Sequence, residues 1–328
     1  MHPHEHDDST HDSRYDGSDA RRPRQPRRAR RARFDDESEP ARRGRLTEAE
    51  RLRLAERRDD HLDSAGGPPE GDRWSSWDGA EHGPEPHPGW LITELAAVDT
   101  EMGVLKTGKE ADVHLVRRAL PGTDRECLLA AKRYRAAEHR MFHRDAGYLE
   151  GRRVRRSREM RAMTQRTAFG RNLLAEQWAA AEFSALDRLW RIGAPVPYPV
   201  QRDGTEVMLE FLGEPDGSAA PRLAALRPAR AELADLWHQL TEALLALAGE
   251  GLAHGDLSAF NLLVHRSRLV LIDLPQVVDL VANPRGIEFL HRDVRNIASW
   301  FAARGLPDDQ GDPDALLARL VNEALPAM

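Results

Sequence analysis

Two aspartates and an asparagine at fixed spacing constrain this chain more than any other feature. The run His254-Gly255-Asp256-Leu257-Ser258-Ala259-Phe260-Asn261 is followed, twelve residues past the asparagine, by Asp273 at the end of Leu271-Ile272-Asp273. Asn261 and Asp273 offer the hard oxygen ligands that Mg2+ prefers. Asp256 supplies a carboxylate able to orient or deprotonate a hydroxyl. A polar turn between two buried segments would carry such residues singly. The residue types and both spacings together point to a site for a nucleotide's phosphates and magnesium.

Lysine usage sharpens this reading. Of 48 basic residues only Lys106, Lys109 and Lys132 are lysine, and the other 45 are arginine. In such a chain a retained lysine marks a position that needs a compact ammonium rather than a planar guanidinium. All three fall in one short stretch.

The remaining organisation is read from pattern. Residues 1–88 are rich in Arg, Asp, Glu, His, Pro and Gly and poor in apolar residues, so a disordered charged tail is expected, with order starting near Trp90. Within it, Arg21 to Arg33 form a basic run, Thr47-Glu48-Ala49-Glu50 reads as a capping box, and His2, His4, His6 and His11 are weak candidate metal ligands. Residues 89–213 are expected to form a lobe of strands and one long helix. In it, Thr107-Gly108-Lys109-Glu110 turns a hairpin, Leu128 to Lys132 is the next strand, and Leu174, Trp178, Ala181, Ala185 and Leu189 recur at helical spacing. Between them, residues 133–171 carry twelve arginines against four acids, a basic insertion suited to a polyanion. Residues 214–328 are expected to form a reduced, mainly helical lobe, with an amphipathic helix through Leu233, Leu236, Trp237, Leu240, Leu244 and Leu247.

Phosphoryl transfer needs a lid over the phosphates, a cation on them, a metal site and a positioned acceptor. The hairpin Thr107, Gly108, Lys109, Glu110 and Val113 is the candidate lid, since a glycine tip lets backbone N–H groups approach phosphate oxygens. Lys132, at the end of an apolar strand, is the candidate cation. Glu182, one turn after Trp178, is its candidate partner. Asn261 and Asp273 are the metal ligands and Asp256 positions the acceptor. His254 reads as structural, hydrogen-bonded near the metal loop.

These residues resemble the RIO atypical protein kinases, and within them the type-one subgroup. Thr107-Gly108-Lys109-Glu110-Ala111 is similar to that family's S-T-G-K-E-A loop, and Ala131 to Arg135 to its strand-lysine segment. Trp178 to Glu182 matches W-A-x-x-E, Leu271 to Gln276 the I-D-x-x-Q metal loop, and Ile287 to Asp293 the A-x-E-F-L-x-x-D segment. Lys106 stands where the family has serine, Gly255 where alanine or arginine is common, and Pro275 where a small polar residue is usual. The resemblance implies an α+β, two-lobed protein-kinase-like fold that uses ATP with Mg2+, or Mn2+ in its place. It puts the adenine contacts on the backbone of Glu210 and Leu212. It implies a serine/threonine kinase or ATPase that phosphorylates itself or the metal-loop aspartate, here Asp273, and a link to small-subunit ribosome maturation. Ser157 and Thr164 are autophosphorylation candidates by the same analogy.

Two other readings compete. Aminoglycoside- and choline-kinase-type phosphotransferases share the H-G-D-L run, the Asn five residues on and the I-D pair, but not the T-G-K-E-A loop or the D-x-x-Q loop. The other is a non-catalytic, RNA-associated scaffold switched by nucleotide. No A-P-E segment follows Asp273, which argues against a general kinase of extended peptides. There is no eighteen-residue apolar run for a membrane span and no apolar signal segment, and Cys127 is the only cysteine, so a cytoplasmic location is expected.

Overall fold

The computed structural model describes residue 68 and residues 70–135 and 168–325, all within the unit Gly44–Met328. The basic run at 21–33, the capping box, the early histidines, Ser157, Thr164 and most of the arginine-rich insertion lie outside the described residues.

An antiparallel sheet makes the first half. Strands β1 (Arg73–Trp74), β2 (Glu81–His82), β3 (Val98–Thr107), β4 (Ala111–Ala119), β5 (Glu126–Tyr134), β6 (Pro199–Asp203) and β7 (Glu206–Glu210) are ordered β1-β3-β4-β5-β7-β6-β2. Sequential strands β1 and β2 therefore occupy opposite edges. Seven strands laid flat at about 4.8 Å spacing would separate those edges by roughly 29 Å. The extended chain from Trp74 to Glu81 reaches only about 24 Å. The sheet must curl, and the connecting segment crosses one of its faces. Trp77 anchors that crossing, packed with Val116, Leu129, Ala131, Val200 and Met208.

This corrects the expected start of order. Residues from Arg73 onward belong to the sheet, so the tail expected to run to residue 88 ends earlier. Two-residue strands leave no alternation to read, and the three tryptophans of the segment gave no period. Pro199 opens β6, where a first strand position tolerates its missing N–H.

Under the crossing segment lies a buried polar network. Arg118, fully buried, forks onto Asp99 at 2.7 and 3.0 Å and reaches Gln201 at 2.9 Å. Both charges are removed from water, so the bidentate geometry is what makes them tolerable there.

The opposite face of the sheet receives α1 (Ala168–Arg191). Its buried stripe is Ala175, Ala179, Glu182, Phe183, Leu186 and Leu189. The expected stripe through Leu174, Trp178, Ala181 and Ala185 lies beside it and is only half-buried. The consequence is functional, because the true stripe carries Glu182 inward.

The second half is helical. α2 (Arg230–Gly249), α3 (Gly286–Ala302) and α4 (Pro313–Ala324) bury Leu233, Leu236, Leu240, Leu290, Ile297, Phe301 and Leu320 in one core. Trp237 and Phe301 meet edge to face at 5.1 Å between ring centroids. Short strands β8 (Leu252–Ala253), β9 (Leu262–His265), β10 (Arg268–Leu271) and β11 (Val278–Asp279) pair as β9–β10 and β8–β11. The β9–β10 turn, Arg266-Ser267, has φ of 51° and 62°, as a two-residue type I′ hairpin requires. A sheet half with one long helix followed by a helical half is the expected α+β, kinase-like architecture.

Candidate active site

The site loops are tied at both ends. The segment from His254 to Asn261 runs from β8 to β9, and the segment from Ile272 to Val277 runs from β10 to β11. Since β8 pairs with β11 and β9 with β10, the loops lie side by side. The Ile272 N–H donates to the Asn261 carbonyl at 3.0 Å. His254, 1% exposed, bonds the Ile272 carbonyl through Nε2 at 3.1 Å, the structural role read from the sequence.

Asp293 of α3 fixes the first loop from behind. Its carboxylate accepts the N–H of Gly255 at 2.7 Å and of Leu257 at 3.1 Å, the two residues flanking Asp256. Burial pushes the Asp293 carboxyl up in pKa, and the nearby His254 and these N–H groups oppose that. Arg292 holds the Gly255 carbonyl. Gly255 itself has φ +84°, and a Cβ there would lie 2.1 Å from the Gln276 carbonyl oxygen. Glycine at this position is thus demanded by the close approach of the metal loop.

The cation expected from the sequence is in place. Lys132 Nζ lies 2.6 Å from Glu182 Oε1 and 2.6 Å from Asp273 Oδ1. Burial alone would depress the Lys132 pKa, but the two carboxylates outweigh it and hold it above its ordinary value. Asp273 shows the reverse balance. Burial would raise it, yet the Lys132 ammonium brings it down to about 2. Glu182 also accepts the Leu274 N–H at 3.2 Å and the Tyr134 hydroxyl, so one buried carboxylate joins the sheet, α1 and the metal loop. Burial, then Glu182, pushes the Tyr134 hydroxyl well above its usual range. Asp273 has φ +67°, a left-handed conformation uncommon outside glycine, though aspartate tolerates it better than most residues, and of a kind kept at functional sites.

Asn261 donates through Nδ2 to the Asp256 carbonyl at 2.9 Å, which leaves Oδ1 as its free end for a cation. Among the described residues no group of three or more His, Cys, Asp or Glu side chains gathers for a metal. Two oxygen donors, one carboxylate and one amide, are a poor set for a dedicated zinc or calcium cage. They fit Mg2+, which keeps waters and takes its remaining ligands from phosphates.

The hairpin between β3 and β4 closes with Gly108 N–H on the Ala111 carbonyl at 3.0 Å. Thr107 and Lys109 are exposed at its tip, and Glu110 is half-buried. Val113 pairs with Lys132 across β4 and β5. Glu210 ends β7, its N–H donating to the Tyr198 carbonyl at 2.8 Å, and the Leu212 carbonyl accepts from Ala220 at 2.8 Å. Direct contacts join Lys132, Glu182 and Asp273 in one group and Asn261 to the Asp256 backbone in another, and the Ile272–Asn261 backbone bond sets the two loops side by side. The hairpin joins them through strand register.

Sequence reasoning assigned no role to Tyr134, Arg292 and Asp293. Asp293 carried a signal, since it sits on the apolar stripe of Leu290, Val294 and Ile297, where a lone acid must have a buried purpose. Tyr134 lies two residues along β5 from Lys132 and so on the same face.

Comparison with known proteins shows the family. Residues 127–313 match the family described as the RIO domain. The chain is 34% identical to the RIO-type serine/threonine-protein kinase Rio1 of Haloferax volcanii over 68% of its length and 70% of that protein. It is 32% identical to the serine/threonine-protein kinase RIO1 of Caenorhabditis elegans over 62% of its length, but spans only 38% of that protein. Among solved structures it is similar to the Rio2 kinase-ADP/Mg2+-phosphoaspartate complex from Chaetomium thermophilum, with TM-score 0.45, 21% identity, and coverage of 68% of this chain and 65% of that one. No helix among the described residues is long and apolar enough to cross a membrane. The domain match and the haloarchaeal relative, taken with the lysine bridge and the paired loops, establish that the chain belongs to the RIO family of atypical serine/threonine protein kinases.

Proposed function

We propose that this kinase, of the type-one RIO subgroup, binds Mg-ATP between the Gly108 hairpin and the paired loops. It passes the γ-phosphoryl group to a serine of its own chain, to Asp273 or to water. The observation that carries this is the Lys132 ammonium held between Glu182 and Asp273 at 2.6 Å from each. That bridge orients a buried cation toward the metal loop before any nucleotide arrives.

Asn261 Oδ1 and the Asp273 carboxylate would hold Mg2+, with Mn2+ as a substitute, and the bound ion neutralises charge on the β- and γ-phosphates. Lys132 binds phosphate oxygens, and Glu182 keeps its ammonium in position. The backbone of Glu210 and Leu212 receives the adenine. Asp256, fixed between two N–H groups held by Asp293, orients the attacking hydroxyl or water and takes its proton. Asp273 stays ionised down to about pH 2, so its second oxygen is available as a nucleophile at neutral pH. In that branch the carboxylate oxygen bonds to the γ-phosphorus, the bond to the β-phosphate bridge breaks, and ADP leaves. Water then cleaves the acyl phosphate.

The arginine-rich 133–171 segment would serve as the contact to ribosomal RNA or a pre-ribosomal particle, with the nucleotide state as a switch in assembly. Its twelve arginines make any such contact strongly salt-dependent.

The deciding experiment supplies γ-labelled ATP and no other substrate. Label is expected on the chain or as free phosphate, and Asp256→Ala should abolish label on Ser or Thr and the release of free phosphate while the protein melts normally; label on Asp273, whose formation takes up no proton, should persist. Hydroxylamine-labile label reports the aspartyl branch, and stable label on Ser or Thr reports autophosphorylation. Full turnover by the Asp256→Ala protein would end this assignment of Asp256.

A further inference from the structure

Lys106 stands where the family carries serine. Its position in the sheet gives it a function. Lys106 pairs with Val113 across β3 and β4, and Val113 pairs with Lys132 across β4 and β5. Residues directly opposite in a ladder point to the same face. Lys106 and Lys132 thus stand in one cross-sheet row, with Val113 between them. The row continues to Val207, which packs with Ala179 and Phe183 of α1, so its face is the one that carries Glu182. A register shift between Val104 and Lys106 sets this alignment, since Leu105 is the extra residue of the bulge. Bulges of this kind re-aim side chains.

The surroundings agree. Lys106 is half-buried, and the charges that act on it are those of Asp273, Arg222, Lys132 and Glu110. Half-burial lowers its pKa and Asp273 opposes that, so the ammonium has lost hydration without gaining a partner of its own. Asp273 Oδ1 is already held by Lys132. Among the described residues no carboxylate forms an ion pair with Lys106. A partly dehydrated ammonium beside a second ammonium and an arginine is a site awaiting a polyanion. The chain otherwise uses arginine almost throughout, so two of its three lysines in one row are a further mark of selection for compact charge.

We infer that Lys106 is a second phosphate-binding ammonium, contacting the terminal phosphates of the nucleotide from the hairpin strand while Lys132 contacts them from β5. One strand, β4, lies between the two lysines, so two strand spacings put their backbones about 10 Å apart. That spacing suits them to opposite sides of one oligophosphate chain, with the Asp273 charge acting on both. The serine that the family carries here would offer a hydroxyl without charge. The inference rests on the Mg-ATP reading of the site.

Calorimetric titration with AMP, Mg-ADP and Mg-ATP tests it on the full chain and on Lys106→Met and Lys106→Ser. Both variants should bind AMP within about twofold of the unmodified protein, which also shows that the pocket is folded. Both should bind Mg-ATP at least tenfold more weakly, with Mg-ADP between. An unchanged ratio of ATP to AMP affinity in both variants would overturn the role of Lys106 alone. Equal weakening of all three nucleotides would overturn it too, by showing a structural effect. If the unmodified protein bound no Mg-ATP, the nucleotide-site reading itself would fall and this inference with it.

Discussion

Asp293→Ala is expected to cost the fold about 3 kcal/mol and turnover about a hundredfold. The side chain is 1% exposed and never reaches the site, so it acts as a positioning residue. Its two oxygens accept the Gly255 and Leu257 N–H groups at 2.7 and 3.1 Å, and both of those residues are buried. Alanine leaves two buried donors without acceptors, each costing about 1–3 kcal/mol. Burial raises the Asp293 pKa, so its charge is held at some expense that alanine removes. That offset places the sum in the lower half of the range. Asp293→Asn keeps one acceptor oxygen and turns an amide N–H2 toward the other donor, so it should cost about 1–2 kcal/mol. Urea unfolding reads the stability. With a slope near 3 kcal/mol/M the alanine midpoint falls by about 1 M. Turnover at saturating Mg-ATP reads the second effect, because the bonds that are lost flank Asp256 and a displacement near 1 Å costs about a hundredfold. The order should be Asp, then Asn, then Ala in both assays. An alanine protein with the original midpoint and turnover within about threefold would show that Asp293 does not hold the loop.

Two further outcomes follow from the same loops. Gly255→Ala places a Cβ 2.1 Å from the Gln276 carbonyl oxygen at φ +84°, so the variant should lose more than about 3 kcal/mol and most activity; a melting curve like that of the parent would contradict the close approach. The Asp273 carboxyl is lowered from 3.8 to about 2, so its contribution to stability is present above about pH 4 and lost as the pH falls toward 2. Its side chain is 34% exposed, so solvent screening reduces the contribution to about 1–2 kcal/mol. Denaturant unfolding between pH 5 and pH 2.5 should show this loss in the parent and not in Asp273→Asn, and equal acid sensitivity of the two proteins would refute it.

The site was legible where chemistry dictates side-chain identity over a short span. Asp256, Asn261 and Asp273 could be found because two small strand pairs hold their loops in fixed register, and loops so short allow few alternatives. Lys132 and Glu182 are fifty residues apart. They could still be matched, because a lysine closing an apolar strand and an acid inside a helix each lack a bland explanation. The segment from Arg73 to Trp90 was not legible. Its strands are two residues long, and what orders them is the presence of two sheet edges assembled from distant parts of the chain. Local propensity carries no trace of that. The one-residue offset of the α1 stripe, about 100° around the helix, has a related cause. Alanine is common on both faces of that helix, so the apolar period alone did not choose between Trp178 and Ala179. The polar partner of Glu182, across the sheet, made the choice.

The same charges explain how the site holds together. A buried ammonium needs counter-charge, and Lys132 takes it from Glu182 and Asp273. On the proposed reading, nucleotide arrival lets Lys132 exchange the Asp273 oxygen for phosphate while Asp273 exchanges the ammonium for the metal. Each partner leaves one opposite charge for another, so neither is bare in a low-dielectric setting at any stage. Either ligand alone breaks this balance. Phosphate without metal would pull Lys132 away and leave the Asp273 carboxylate beside added negative charge. Metal without phosphate would set a second cation beside Lys132 on one carboxylate. On that reading the arrangement would favour joint binding of metal and nucleotide over either separately, and Glu182 would keep the lysine in place through the exchange. Its three contacts, to Lys132, Tyr134 and the Leu274 N–H, all remain when Asp273 lets go.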